Sequence, residues 1–64
     1  MLSLSEILIQ QHELESFDAL VQIVRERALA GEMFFRMDVK PPFHDTPTDW
    51  EDRLEAVFTS ARRR

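Results

Sequence analysis

Residues 17–30 read FDALVQIVRERALA, and the rest of the chain has to be fitted around them. On an α-helix each residue advances 100°, so positions three and four apart share a face. Phe17, Leu20, Val21, Val24 and Ala28 then form one apolar stripe, with Ala19, Ile23 and Ala30 beside it. Together they occupy roughly half the circumference, against the ~100° stripe usual for a surface helix. Such a helix needs cover on two sides. One side can be met by the chain itself and the other by a second chain. Gly31 follows directly, where a left-handed C-terminal cap belongs. Arg25 and Arg27 sit in the last turns, where the helix dipole favours cations.

Toward the N-terminus lies MLSLSEILIQQHELES, residues 1–16. Ser3 and Glu6 have capping-box spacing, and Leu4, Ile7 and Leu8 share a helical face. This predicts a helix over about residues 5–14. A strand competes, because Leu2 and Leu4 alternate with serines and Ile7–Ile9 is partly β-branched. Ile7, Leu14, Val21 and Ala28 are spaced by seven, so one continuous helix is also conceivable. Gln10 and Gln11 interrupt that stripe, however, and Ser16 with Asp18 resembles a fresh helix start. We therefore expect two helices with a break near Glu15 and the second over 17–30.

Toward the C-terminus, MFFRMDV at 33–39 alternates Met33, Phe35, Met37 and Val39 with Phe34, Arg36 and Asp38. Period two with two aromatics predicts a strand, with a helical extension as the rival. A solitary strand cannot stand alone. Its partner would be the N-terminal segment, the same strand of a second copy, or another protein. Residues 40–47, KPPFHDTP, form a Pro-rich loop that Phe43 anchors and that Asp45 or Thr46 turns toward the last helix. That helix is expected over 48–61. Thr48 and Glu51 form a capping box, and Trp50, Leu54, Val57, Phe58 and Ala61 fall on one face. A basic tail, Arg62, Arg63 and Arg64, closes the chain.

The fold class expected is a single small domain, α+β and mostly helical, in the order α-α-β-α. Its one strand would be paired in a homodimer or with a partner. The alternative is β-α-β-α, with the N-terminal segment as a first strand joined to the second by a crossover and so able to lie parallel to it.

With 64 residues, the chain buries only about 60% of its unfolded surface, a marginal amount. Small scaffolds usually add disulfides, a metal or a second subunit. There is no cysteine, which removes disulfides and thiolate metal sites and fits a reducing compartment. No apolar run is long enough to cross a membrane, and no basic-then-apolar leader is visible, so a cytoplasmic location is expected. The net charge is −4, yet the last three residues are all basic, leaving the body more acidic still. Such a body repels nucleic acid, and only the tail could contact phosphate.

Candidate chemistry is sparse. His12, Glu13 and Glu15 lack the four-residue spacing that a helical zinc site needs, since position 16 is Ser. His44 and Asp45 could pair as base and orienting carboxylate, but no nucleophile or glycine-rich turn stands beside them. Neither catalysis, metal nor cofactor is expected. Pro41–Phe43 reads as a strand terminator rather than an epitope, and Trp50 as core rather than a contact residue.

Met33, Phe34, Phe35 and Met37 are harder to place. Four large apolar side chains in five positions present two faces if extended, and one small domain covers one of them. With Ile23 they are the expected partner-binding residues, and methionine adapts well to such surfaces. The function expected is therefore a non-enzymatic acidic protein-binding module, self-associating, acting as an adaptor or inhibitor. The alternative is a small nucleic-acid-associated regulator that uses Arg62, Arg63 and Arg64.

Overall fold

The computed structural model describes residues 1–62 and runs β1 (Leu2–Ser3), α1 (Leu4–Gln10), α2 (Phe17–Leu29), β2 (Phe35–Arg36) and α3 (Trp50–Arg62). The mostly helical α+β class holds. Arg63 and Arg64 lie outside the described residues.

Helix α2 forms where its stripe predicts. Phe17, Leu20, Val24 and Ala28 are buried, and Val21 and Ile23 pack against the same core at half depth. Ser16 is the N-cap, its extended backbone letting Oγ accept the Ala19 amide at 3.1 Å. At the far end Gly31 has φ +111°. The Gly31 amide donates to the Ala28 carbonyl and the Glu32 amide to the Arg27 carbonyl, both at 3.2 Å. This is the Schellman arrangement, which turns the chain out of the helix while satisfying two of its last carbonyls.

Helix α3 supplies the other half of the core. Leu54, Phe58 and Ala61 are buried, with Trp50 and Val57 half-buried beside them. The helix begins two residues later than expected, with the Arg53 amide bonded to the Asp49 carbonyl. It also runs one residue further, so Arg62 belongs to the helix rather than to a tail. Its guanidinium lies 5.8 Å from the centre of the Phe58 ring.

The N-terminal segment departs from expectation in three ways. It is strand first and helix second: Leu2–Ser3 is extended, and α1 starts at Leu4. The helix also ends at Gln10 rather than near residue 14, because Gln10–Glu13 offers no apolar side chain to hold a further turn on the core. Gln11 leaves the helical region, and the Leu14 amide bonds to the Gln11 carbonyl in the turn that follows. A continuous helix through Leu14 is thereby excluded. Finally, Ser3 is the N-cap of α1, but its side chain makes no capping bond. The proposed box with Glu6 does not form.

The strand expected over 33–39 shrinks to Phe35–Arg36, and it is not solitary. It pairs in parallel with β1 of its own chain, Leu2 against Phe35 and Ser3 against Arg36. The expected pairing with a second copy or a partner is thus corrected for this edge of the strand. The parallel arrangement is the one the β-α-β-α alternative called for, with two helices in the crossover instead of one. The ladder is short because α1 begins at Leu4 and takes the chain away from β2.

Candidate functional site

The five residues expected to meet a partner do not stay together. Phe35 turns inward, its ring 5.3 Å from that of Phe58, and Met37 and Ile23 also pack against the core. Met33 and Phe34 remain outside, 58% and 66% exposed. Pairing explains the place of Phe34. Leu2 is buried and opposite Phe35, so the inner face of the ribbon carries Leu2 and Phe35. Phe34, one residue earlier, must point to the outer face. Extending the same register one step sets Met1, 77% exposed, beside Phe34. Leu29, in the last turn of α2, is exposed as well. Sequence reading missed Met1 as a member of this surface, because only the register reveals it.

The outer face also carries charge. Arg36 reaches Asp38 at 3.7 Å, and the amino group of Met1 lies 4.0 Å from the Glu32 carboxylate. Both are long contacts on partly exposed side chains, worth little in water.

Behind β2, the loop to α3 performs a task that local patterning could not show. Asp38 accepts the Ser5 amide at 3.0 Å and the Ser5 hydroxyl at 2.7 Å. It thereby does for α1 what the Ser3 side chain does not. Asp45 accepts the Phe17 amide at 2.8 Å, adding to the cap that Ser16 gives α2. A carboxylate at a helix N-terminus meets free amides and the positive end of the dipole. The Ser5 hydroxyl and amide, helped by Arg36, hold the Asp38 carboxyl below its ordinary value. The Phe17 amide, with His44 contributing, does the same for Asp45. Between them Pro41 is buried and Phe43 packs on the core. Thr46 closes the bend, its amide donating to the Phe43 carbonyl and its hydroxyl to the Pro41 carbonyl. Asp45 thus serves the helix behind it as well as the turn in which it sits.

His12 and His44 are both exposed, and the His44–Asp45 neighbours spend the carboxylate on Phe17. Among the described residues no three His, Cys, Asp or Glu side chains stand close enough to share a metal ion, and no pocket opens. No described helix is long and apolar enough to cross a membrane. Of the expected phosphate contacts, Arg62 is exposed at the end of α3, and Arg63 and Arg64 lie outside the described residues. No protein-family model matches the chain, and neither does any curated protein or solved structure compared with it.

Proposed function

We propose that this chain is a non-enzymatic protein-binding module of the cytoplasm that docks the Met33–Phe34 segment on another protein, as an adaptor or an inhibitor. One observation carries the reading. Met33 and Phe34 stand well exposed while their neighbours Phe35 and Met37 pack against the core. A folded domain that takes Phe35 and Met37 onto its core has no internal use for Met33 and Phe34. An aromatic and a methionine side by side are the residue types enriched at protein contacts. The net charge of −4 favours a partner whose rim is basic.

The test uses Phe34→Asp as bait beside the unaltered chain. Phe34 lies outside the core, so the change shifts unfolding stability by no more than about 0.5 kcal/mol. A bound protein should be recovered with the unaltered chain and lost with the variant. Equal recovery on both baits would end this reading.

A further inference from the structure

We infer that, when no other protein occupies this segment, a second copy of the chain covers it, joined antiparallel along the free edge of β2, with Phe34 facing the partner's Phe34. The inference rests on the reading of Met33–Phe34 as a protein contact and adds the occupant, the direction and the register.

Backbone alternation defines the edge. The Leu2 amide donates to the Phe34 carbonyl at 2.9 Å, so Phe34 presents its carbonyl to β1. In a parallel pair the groups of the next residue point the other way. The amide and carbonyl of Phe35 therefore face away from β1, as do those of Met33 where the extended backbone continues. Among the described residues no hydrogen bond engages them. A two-stranded ribbon with such an edge is a template for a further strand.

Charge narrows the register. Centring the two-fold on Phe35 would set Glu32 against the partner's Asp38, twice. Centring it on Arg36 would set guanidinium against guanidinium. Like charges directly opposite destabilise a sheet. Centring it on Phe34 sets Arg36 against the partner's Glu32, twice, and pairs Phe35 with the partner's Met33, so that the outward backbone groups satisfy each other. Phe34 then meets its counterpart in a non-hydrogen-bonded pair, where facing side chains come closest. Arg36 and Glu32 have only long contacts at 3.7 and 4.0 Å to give up. Phe34 and Arg36 are exposed, whereas Phe35 stays on Phe58, so the contact forms without moving the core. The result is a four-stranded sheet in the order β1-β2-β2-β1, above the minimum at which a sheet with an apolar face becomes stable.

The chain has no cysteine, which makes engineered thiols a clean probe. Mass in solution should rise toward a dimer with concentration. On oxidation, Phe34→Cys should form a disulfide between copies, since facing α-carbons about 4.5 Å apart suit that bond. Arg36→Cys should not, because four residues of offset separate its thiols by about 13 Å. Glu32→Arg and Arg36→Glu should each reduce the dimer fraction, and the two together should restore it. Melting of each variant alone checks that the fold is intact. A dimer that crosslinks equally at both positions, or that the double exchange fails to restore, overturns the register. A chain that stays monomeric at every concentration overturns the second copy as occupant. If that monomer still recovers a protein that Phe34→Asp loses, the proposed function stands without it.

Discussion

The two halves of this molecule share one buried core and differ in what is added to it. The α2–α3 pair is joined by burial: Leu20, Val24 and Leu54 are closed off completely, and Phe58 nearly so. The ribbon and the loop behind it add directed bonds to the burial of Leu2 and Pro41 and the packing of Phe35 and Phe43. A two-residue ladder, Asp38 on Ser5 and Asp45 on Phe17 hold residues far apart in sequence, and Met33 and Phe34 are left in water. Burial is additive and local in pattern, so it tolerates a fraying end. Directed bonds place a few atoms well and leave the surface between them free. The exposed Met33 and Phe34 are on the second half, where we place the contact.

The comparison can be broken most severely from the buried side. Leu20→Ala removes a fully buried side chain between α2 and α3, and losses of about 2–5 kcal/mol are usual for such changes. Urea unfolding should show the midpoint fall, with the ribbon lost in the same transition. A separate transition for the ribbon would mean that the two halves do not share one core.

Gly31→Ala is the next largest. No atom lies within 4 Å of the added carbon, so the cost is conformational, at φ +111°. It should amount to about 1–2 kcal/mol, measured by the same unfolding curve.

The two serine N-caps sharpen the contrast. Ser16→Ala deletes a side-chain cap and should cost about 1 kcal/mol. Ser3→Ala deletes a hydroxyl that caps nothing and should cost much less. Equal losses would mean that Ser3 caps α1 in solution.

The smallest effect is acid sensitivity. Both carboxyls are held below their ordinary value by donors that bind the ionised form, the Ser5 hydroxyl and amide for Asp38 and the Phe17 amide for Asp45. Their contribution is complete above the unfolded carboxylate value of about 3.9 and is lost as pH falls through the lower folded-state values. Asp38→Asn with Asp45→Asn should flatten that acid limb of the stability curve while leaving stability nearly independent of pH between 6 and 8.

How far the chain could be read from its letters follows the same division. α2 and its ends were legible because a 3.6-residue stripe, Ser16 and Gly31 are all local signals. α3 was legible apart from its first turn. The N-terminal strand and its parallel pairing with β2 were legible only as the β-α-β-α alternative, because a strand of two residues carries little period and two helices intervene between Leu2 and Phe35. Asp38 looked like a strand residue and Asp45 like a turn residue, because their partners, Ser5 and Phe17, lie 33 and 28 positions away. Of the expected contact residues, Met33 and Phe34 stayed outside, and Phe35, Met37 and Ile23 went to the core; the register decides this for Phe34 and Phe35.

The two carboxylates that finish α1 and α2 both come after those helices in the chain. On a ribosome, therefore, the first 37 residues emerge without the groups that complete them. Synthesis proceeds from the N-terminus, so α1 and α2 are made before the two carboxylates that reach their first amides. A nascent chain halted before Asp38 should remain a loose pair of half-formed turns.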